Sequence, residues 1–385
     1  MNPYPKNIAS KLPQTGTSIF AIMSQMAKAH NAINLSQGFP DFPVSEKLIS
    51  LVHKYMQQGF NQYAPMPGLP ALRDAIAEKT RFLYSASYNP ETEITVTAGA
   101  TQAIFTAISA FIREDDEVII FEPAYDSYVP AIKLCGGTPV NIQLKLPDYH
   151  IDWSEVKNRI TSRTKMIIIN TPHNPTGSVL SASDMQELDK ITRHTGILVL
   201  SDEVYEHIIF DGYEHQSVCR YPELASRSLV MCSFGKTFHA TGWKTGYCVA
   251  PENLMKEFRK VHQFVVFAVN TPAQHAIAEY IQDKNNYTNL GQFYQEKRDY
   301  FLKLISNSKF KVIPAHGTYF QVLDYSNISD ESEMDFAVKL IKEKGVASVP
   351  NSHFYKNHRN NQTLRFCFAK NNQTLEKAAE ILCQI

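Results

Sequence analysis

The chain has 385 residues, and its 38 Lys and Arg residues balance its 38 Asp and Glu residues to a formal net charge of zero. This balance gives no support for nucleic acid or another polyanion as a partner, and 44% apolar with 20% charged residues is ordinary for a soluble globular protein. The length predicts two domains that share a large core.

The N-terminal sequence MNPYPKNIAS lacks the apolar stretch of a signal peptide, and the longest apolar run, residues 264–269, is too short to span a bilayer. The six cysteines stand too far apart for a C-x-x-C metal or redox motif, and four of them lie in apolar, strand-like runs. Buried, reduced thiols are typical of cytosolic proteins. We therefore expect a cytoplasmic protein with no bound metal and no contact with a membrane.

Between about residue 94 and residue 250, strand-like segments alternate with helix-like segments, of which the clearest are 101–111 and 181–195. Several of the strand-like segments are apolar throughout, as expected for a sheet that helices cover on both faces. Such a βαβ series predicts a mainly parallel sheet with right-handed crossovers. The predicted strands are ITVT (94–97), EVIIF (117–121), KMIIIN (165–170), ILVLSD (197–202), SLVMCS (228–233) and GYCVA (246–250).

After Pro251 the pattern is helical to about residue 307. From about residue 311 the short strands KVIP, TYFQVL and QTLRFCF mix with helices predicted at 331–344 and 373–384, which indicates a smaller α+β domain. We expect residues 1–45 to pack with this small domain, residues 46–275 to form the large domain, and residues 276–385 to form the small one.

Ligands of open α/β sheets bind beyond the carboxyl ends of the strands, so the residues that follow the strands are informative. The turn TAGAT (97–101) leaves the backbone N–H groups of Gly99 and Ala100 at a helix N-terminus, where a phosphate can bind, although such a turn is more often plain packing. The loop NTPHNPTG (170–177) fixes the amide of Asn174 between prolines, and an ordinary turn is the alternative.

Charged residues follow three more strand-like segments. Asp202 ends an apolar strand in SDEVY (201–205), where a buried carboxylate needs a cationic partner unless it caps a helix. Lys236 and Lys244 lie in SFGKTFHATGWKTG (233–246), and burying an ammonium is costly unless it is paired, shifted in pKa or used covalently. Arg365 alternates with apolar residues in TLRFCF, so it either faces solvent or clamps a carboxylate.

Together these residues fit one cofactor, pyridoxal 5′-phosphate. Lys236 supplies the amine for a Schiff base, and Asp202 can keep the pyridine nitrogen protonated, so that the ring draws electrons from the substrate. Lys244 neutralises the phosphate and, with exclusion of water, lowers the pKa of Lys236. The other expected cofactor ligands are Tyr205 and Asn174 at the ring oxygen, Ala100, Thr101 and Ser233 at the phosphate, and Tyr125 stacked on the ring.

With these motifs the chain resembles the class I aminotransferases, which are fold-type I pyridoxal-phosphate enzymes. Its motifs look most like those of the bacterial methionine aminotransferases and of the kynurenine aminotransferase/glutamine transaminase K group. The motifs span nearly the whole chain in the family's order: NLSQGFPDF (34–42), NQY (61–63), TAGAT, NTPHNPTG, SDEVY, SFGKTF-x-x-TGWK-x-G (233–246), GTYF (317–320) and LRFCFAK (364–370).

The resemblance implies an α/β fold, with a mainly parallel seven-stranded sheet in the large domain and a small α+β domain formed by both chain ends. Lys236 would be the catalytic lysine, which moves the proton between the substrate and the cofactor. Arg365, Gly38 and Asn174 would bind the substrate carboxylate. Tyr63 would reach the phosphate of a second subunit, so a homodimer with shared active sites is expected.

The resemblance also implies that an amino group moves from an amino acid to a 2-oxo acid in a ping-pong cycle. The segment KLPQTGTSIF (11–20) looks like that of methionine-type enzymes, and the tryptophan found near this position in some kynurenine-type relatives is absent. Phe20, Tyr63 and Phe354 are candidates for an apolar side-chain pocket. We therefore predict methionine, with aromatic amino acids and glutamine, as amino donors.

Three alternatives stay open. The motifs S-x-x-K at Ser233 and K-T-G at Lys244 also occur in β-lactamases and penicillin-binding proteins, but there they stand much farther apart. A carbon–sulfur β-lyase needs the same lysine and the same substrate carbanion, so a kynurenine- or glutamine-type aminotransferase with cysteine-conjugate β-lyase activity is the main alternative. A cofactor-binding regulator would need an attached DNA-binding domain. We do not expect one, because the family motifs begin by residue 34 and the net charge is zero.

Overall fold

The computed structural model describes residues 6–313 and 315–385. Residues 1–5 of the predicted N-terminal segment and Pro314 of the predicted strand KVIP lie outside the described residues. In chain order the strands are β1 (Ile33–Asn34), β2 (Ile94–Thr97), β3 (Glu117–Glu122), β4 (Thr138–Gln143), β5 (Thr164–Asn170), β6 (Leu198–Asp202), β7 (Ser228–Ser233), β8 (Gly246–Val249), β9 (Lys311–Ile313), β10 (Phe320–Asp324), β11 (Val346–Ala347), β12 (Val349–Pro350) and β13 (Thr363–Cys367).

Helices separate most of these strands. The α-helices are α1 (Ile19–Ala29), α2 (Glu46–Gln57), α3 (Pro70–Tyr84), α4 (Ala100–Phe111), α5 (Tyr128–Leu134), α6 (Trp153–Arg159), α7 (Ala182–Thr192), α8 (Pro222–Ala225), α9 (Phe234–Thr237), α10 (Glu252–Val265), α11 (Thr271–Tyr280), α12 (Asn285–Thr288), α13 (Leu290–Leu304), α14 (Glu333–Lys339) and α15 (Asn372–Leu382). Shorter 3-10 turns lie at Val218–Arg220, Thr241–Trp243 and Asn351–Phe354, and a π-helical turn lies at Leu340–Lys344.

Seven strands form the large sheet in the order β2-β8-β7-β6-β5-β3-β4. The strands from β4 to β7 in this order run parallel to one another, whereas β8 runs antiparallel to both of its neighbours. The α/β fold with a mainly parallel seven-stranded sheet is therefore confirmed.

Helices cover both faces of this sheet. Val118 and Ile120 of β3 pack with α4, α5 and α10 in one buried apolar cluster, whereas Ile119 and Phe121 of the same strand belong to a second cluster that includes α3, α6 and α7. Because alternate residues of a strand point to opposite faces, a strand buried on both faces is apolar at every position. This arrangement explains the uniformly apolar strand segments of the sequence.

The strand β4 was not predicted from the sequence. Its residues, TPVNIQ, are mixed in polarity, and within the strand only Ile142 is fully buried. β4 pairs on one side alone, with β3, so it forms an edge of the sheet. An edge strand is partly covered and can carry Pro and polar residues, which hides it from a search for apolar runs.

The helical region after Pro251 is interrupted between Val265 and Thr271, where the sequence pattern predicted a continuous helical stretch. Helix α10 ends at Val265, and Phe267 then adopts a left-handed backbone conformation with φ of 66°. Helix α11 begins afresh behind Asn270, whose side chain accepts a hydrogen bond from the backbone N–H of Ala273. This cap ends the continuous pattern, because a new N-cap requires non-helical backbone before it.

The C-terminal region forms an antiparallel sheet in the order β12-β13-β10-β9, against which α14 lies, while α13 packs against α15. The N-terminal strand β1 pairs in parallel with β11, which brings Ile33 opposite Val346. This pairing supports the division into residues 1–45, 46–275 and 276–385, which stays a prediction. Within the described part of the chain, no helix is both long and apolar enough to cross a membrane, and no cluster of three or more His, Cys, Asp and Glu side chains could hold a metal ion.

Candidate active site

A cavity of about 280 Å³ lies at the carboxyl edge of the large sheet. Asn170, Asp202 and Ser233 are the last residues of β5, β6 and β7 and line this cavity together. Because neighbouring parallel strands end at the same edge, residues far apart in the sequence meet there, and Asn170 is the register partner of Asp202.

The cavity collects nearly all of the predicted site residues. Its lining also contains Gly99 of the predicted phosphate turn and residues that were not assigned a role from the sequence, namely Gln37, Ile104, Asn170, Val204, Thr241 and Phe320. The predicted residues in the lining are Gly38, Ala100, Thr101, Tyr125, Asn174, Asp202, Tyr205, Ser233, Lys236, Lys244 and Arg365, with Phe20 of the expected side-chain pocket.

The carboxylate of Asp202 is buried without a basic partner in ion-pair contact among the described residues. The hydroxyl of Tyr128 donates to its Oδ2 atom over 2.6 Å, and the backbone N–H of Val204 reaches Oδ1 over 3.4 Å. Burial raises the pKa of Asp202 to about 6, although Tyr128 and the more distant Lys236 oppose that rise. The site therefore holds a carboxylate that lacks a counter-ion.

Lys236 points into the same cavity from α9. Its Nζ atom donates to the Tyr319 hydroxyl over 2.9 Å and to the carbonyl of Gly38 over 3.2 Å. Burial is the main reason why the pKa of Lys236 falls to about 8, and the positive charges of Arg365 and Lys244 lower it further. The prediction that Lys244 and exclusion of water depress this pKa is thus refined, because burial contributes most.

Arg365 lies in the middle of β13 and is only 1% exposed. Its guanidinium donates to Asn174 Oδ1 over 2.9 Å and to the carbonyl of Ser36 over 3.0 Å, whereas its buried Nε has no hydrogen-bond partner. The guanidinium carbon lies 3.8 Å from the ring centre of Phe320. Arg365 therefore does not face solvent, and among the described residues its Nε is left without an acceptor.

The opposite end of the cavity is built from the start of α4. Gly99 caps this helix with φ of 78°, and a Cβ atom placed on Gly99 would lie 3.5 Å from the Lys244 ammonium. Gly246 lets β8 approach the same turn, because a Cβ there would lie 2.6 Å from the Cys232 carbonyl and 3.1 Å from the Ala100 nitrogen. A helix N-terminus beside an ammonium is an environment that favours an anion.

Two tyrosines line the middle of the cavity. The ring of Tyr205 lies edge-on to Tyr319 with ring centres 5.1 Å apart, and the Lys236 ammonium lies 5.7 Å from the centre of the Tyr205 ring. The hydroxyl of Tyr125 lies 3.3 Å from Thr101 Oγ1, next to the start of α4. The aromatic wall therefore runs from the lysine to the helix N-terminus.

The comparisons with known proteins agree with this geometry. The family model described as "Aminotransferase class I and II" matches residues 30–382. The chain belongs to this aminotransferase family. It is 47% identical over 377 residues to a methionine aminotransferase of Escherichia coli (strain K12), with 98% of each chain covered.

The solved structure of YbdL from Escherichia coli, for which a methionine aminotransferase function was identified, superimposes on this aminotransferase with a TM-score of 0.97 at 46% identity, covering 99% of this chain and 100% of that one. Kynurenine–oxoglutarate transaminase 1 of Homo sapiens is 33% identical over 393 residues, with 93% of each chain covered. Members of the family use pyridoxal phosphate. The membership decides against a penicillin-binding enzyme.

Two predicted residues of this aminotransferase are not in the cavity lining: Phe354, whose ring centre lies 5.9 Å from that of Phe20, and Tyr63. Tyr63 is 83% exposed and packs edge-on against Phe267, with ring centres 5.4 Å apart. It borders a surface depression formed by α2, the segment 61–63 that follows it, and residues 268–272 at the start of α11. Tyr63 therefore does not complete the cavity of its own chain.

Three residues that shape the aminotransferase site were not assigned from the sequence. Tyr128 contacts Asp202, Tyr319 contacts Lys236, and Asn170 donates to the Asp202 carbonyl over 2.9 Å while accepting from the backbone N–H of Asn174. Tyr319 and Asn170 lie within motifs quoted above, which was an available signal. Tyr128 comes three residues after Tyr125, and no sequence pattern connects it with Asp202.

Proposed function

We propose that this protein is a pyridoxal-phosphate-dependent aminotransferase that moves the amino group of methionine, and also of aromatic amino acids and glutamine, to a 2-oxo acid. The observation that carries the proposal is the placement of two buried, oppositely charged groups, Asp202 and Arg365, in one cavity with Lys236. Neither charge has an oppositely charged ion-pair partner among the described residues. Each therefore suits a charged part of a bound molecule.

The residues present fit the cofactor. The carboxylate of Asp202 matches a protonated pyridine nitrogen, which would return its pKa toward the ordinary range. At the other end, the N–H groups of Ala100 and Thr101, the Lys244 ammonium and the Ser233 hydroxyl suit a phosphate. When bound, pyridoxal phosphate draws electrons away from the α-carbon of the amino acid.

The remaining ring contacts fall to Tyr205, Asn174 and Tyr125. The hydroxyl of Tyr205 would donate to the ring oxygen, and Tyr125 would stack on the ring face. The side-chain oxygen of Asn174 already accepts from Arg365, so its amide nitrogen is left to serve the ring oxygen. Asn174 thereby links the cofactor end of the site to the substrate end.

Lys236 would hold the cofactor covalently and then act as the base. With its pKa lowered to about 8, an appreciable fraction of the free amine is neutral near physiological pH. Its Nζ can then take the proton from the substrate α-carbon and return it to the cofactor side. The hydroxyl of Tyr319 and the carbonyl of Gly38 hold that nitrogen in place between transfers.

Arg365 would bind the α-carboxylate of the substrate through its unpartnered Nε and one further N–H group. Gly38 packs closely on the Phe320 ring beside Arg365, because a Cβ there would lie 2.8 Å from that ring. Phe20 and Phe354 lie with ring centres 5.9 Å apart and both flank the guanidinium. An apolar, aromatic wall suits the thioether of methionine, since sulfur packs well against ring edges.

A kynurenine- or glutamine-type aminotransferase with cysteine-conjugate β-lyase activity is the second candidate. Kynurenine–oxoglutarate transaminases are among the relatives of this chain. Release of a sulfur leaving group needs the same base, Lys236, and the same carbanion as transamination. The side-chain pocket, rather than the chemistry, separates the two proposals.

The proposal includes a homodimer in a reducing compartment. Tyr63 is exposed beside Phe267, which is also exposed, and Phe264 at the end of α10 is another exposed aromatic residue. Such a patch suits a second copy of the chain, whose cavity Tyr63 would then reach. All six cysteines are free, which is consistent with a cytoplasmic location.

A half-reaction panel tests the function. Holoenzyme is mixed separately with methionine, phenylalanine, glutamine, kynurenine and aspartate, and loss of the near-visible absorbance of the bound cofactor is followed. We expect methionine to react fastest and aspartate slowest, and Lys236→Ala to be inert with all five. Preference for aspartate would contradict the proposal, whereas preference for kynurenine together with pyruvate release from a cysteine conjugate would favour the second candidate.

A further inference from the structure

A second group of buried charges lies outside the cavity lining. Lys79 of α3 and Glu206 form an ion pair of 2.7 Å, with side chains that are 2% and 3% exposed. Glu206 follows Tyr205 directly in the segment 203–208, which is neither helix nor strand. The pair therefore anchors the irregular segment that carries a predicted cofactor ligand.

The carboxylate of Glu206 is fully engaged. Besides Lys79 it accepts hydrogen bonds from the hydroxyls of Tyr84 over 2.6 Å and Tyr247 over 3.1 Å, and Lys79 donates to Tyr247 over 2.8 Å. Burial alone would raise the pKa of Glu206, but the charge of Lys79 holds it well below the ordinary value. Other titratable groups that interact with this carboxylate are His207, 3.6 Å away, and more distantly Cys219, Cys232 and Tyr287.

A buried ion pair contributes little net stability to a protein. Desolvation offsets most of the attraction, so that apolar residues of similar volume often serve stability equally well. Such a pair does fix positions, because its hydrogen bonds determine where the carboxylate and its backbone lie. Here the bonds come from both α3 and β8, which hold Glu206 from two elements of the large domain.

The position of Glu206 sets that of Tyr205. Their Cα atoms are about 3.8 Å apart by covalent geometry. The backbone N–H of Glu206 donates to the Glu203 carbonyl over 2.9 Å, and the Tyr205 carbonyl accepts from Ile208 over 2.8 Å, so the turn is internally closed. On the cavity side, the Tyr205 ring lies edge-on to Tyr319 and Phe320, and the Lys236 ammonium is 5.7 Å from its centre. Glu203 holds the start of the segment through Ser201 and Val218, and Lys79 holds Glu206, the residue that directly follows Tyr205.

We propose that the Lys79–Glu206 pair is a positioning device that places the hydroxyl of Tyr205 against the ring oxygen of the cofactor. The proposal rests on the cofactor role proposed above for Tyr205. A donor at that oxygen stabilises its deprotonated form, so that loss or displacement of the donor raises the pH at which the bound cofactor changes colour. Neither Lys79 nor Glu206 touches the cofactor in this arrangement.

A spectrophotometric pH titration of the full-length holoenzyme tests the proposal. Tyr205→Phe is the reference for complete loss of the donor, with an expected upward shift of about one pKa unit, as for loss of a hydrogen bond to a charged group. We expect Glu206→Gln and Lys79→Met to raise the pKa of the bound cofactor by nearly as much as this reference. The milder Tyr84→Phe should raise that pKa less. The matched control is Glu187→Gln, which alters an exposed ion pair with Lys190 and should titrate as the unmodified protein does.

The double variant Lys79→Met/Glu206→Leu guards against misfolding of the single variants, because it removes both charges together. If it and Tyr84→Phe fold and titrate as the unmodified protein while Tyr205→Phe is shifted, the positioning role is wrong. A Tyr205→Phe titration that does not move overturns the cofactor role of Tyr205, and this proposal with it. A lower melting temperature without a spectral shift shows a purely structural pair and likewise overturns the proposal.

Discussion

The hydroxyl of Tyr128 donates a 2.6 Å hydrogen bond to Oδ2 of Asp202, and both side chains are buried. Tyr128 begins α5, whereas Asp202 ends β6, so the bond joins two elements of the large domain. A short bond from a neutral donor stabilises the ionised form of a carboxylate. Tyr128 is thus placed to keep Asp202 negative when it faces the cofactor nitrogen.

The substitution Tyr128→Phe should lower kcat for methionine. Hydrogen bonds to charged groups are worth about 1.5–3 kcal/mol, which corresponds to a loss of roughly ten- to a hundredfold. Steady-state rates at saturating methionine and cofactor measure the effect. The matched control is Tyr325→Phe, which removes a buried hydroxyl bond to the Glu331 carbonyl in the small domain and should change stability but not kcat. Equal effects of the two substitutions would contradict the assignment.

Asp202→Asn should make the cofactor-free protein more stable above pH 6. Burial raises the folded-state pKa of Asp202 from 3.8 to about 6, so the folded state holds the proton longer than the unfolded state. The stability of the unmodified protein therefore falls as the pH rises from about 4 to 6, by about 3 kcal/mol for this carboxyl group, and stays lower above that range. Asparagine removes the ionisation and with it this loss.

Urea unfolding of the cofactor-free proteins at pH values from 4 to 8 measures the difference. The increase in the free energy of unfolding caused by Asp202→Asn should grow between pH 4 and 6 and then stay constant. The exposed control Asp330→Asn should show no such trend. When cofactor is added, the unmodified protein should become the more stable of the two, because asparagine cannot hold the ring nitrogen protonated. A variant that is less stable at every pH without cofactor would refute the idea that Asp202 is an uncompensated buried charge.

The strand-end residues were predictable because parallel strands bring their carboxyl ends to one edge, whatever lies between them. Lys236, Asp202 and Asn174 could therefore be placed together from the strand pattern and the family motifs. Tyr128 could not, because its contact with Asp202 depends on how α5 docks on the sheet, 74 residues away in sequence. Sequence patterns report the period of an element, not the partner that covers it.

The environment of Arg365 shows the same limit. Its alternation with Leu364 and Phe366 correctly separates two faces of β13, but it does not tell whether the second face meets solvent or protein. That face is closed by Phe20 from α1 and by Phe354 from the turn before β13, so Arg365 is buried. Only the packing of the N-terminal helix against the C-terminal sheet decides between the two alternatives.

Arg365→Lys should raise the KM for methionine by about a hundredfold, as for loss of a charge-assisted hydrogen bond. Lysine keeps the charge but loses the planar fork that allows two parallel hydrogen bonds to a carboxylate. It also releases the side chain of Asn174 and the Ser36 carbonyl. Kinetics across a range of methionine concentrations test this, with the exposed Arg163→Lys as control. An unchanged KM would exclude Arg365 as the carboxylate clamp.

Mixing the inactive Lys236→Ala with the weakened Tyr63→Phe should restore activity at limiting cofactor if Tyr63 serves the partner's site. Tyr63→Phe removes the hydroxyl that would reach the neighbouring phosphate, and Lys236→Ala removes the catalytic lysine from its own chain. In a mixed dimer, one site then has both defects and the other has none, because its lysine and its partner's tyrosine are intact. With statistical mixing, half of the dimers are mixed, and the restored activity approaches about a quarter of the unmodified value.

The experiment is made at limiting cofactor, where loss of one phosphate contact weakens binding most. Each variant is purified, the two are exchanged under mild denaturant, and activity is compared with that of each variant treated alone. The exposed position of Tyr63, away from the cavity of its own chain, is the reason to expect restoration. Absence of restoration in dimers whose exchange is verified by mass would show that Tyr63 does not cross the interface.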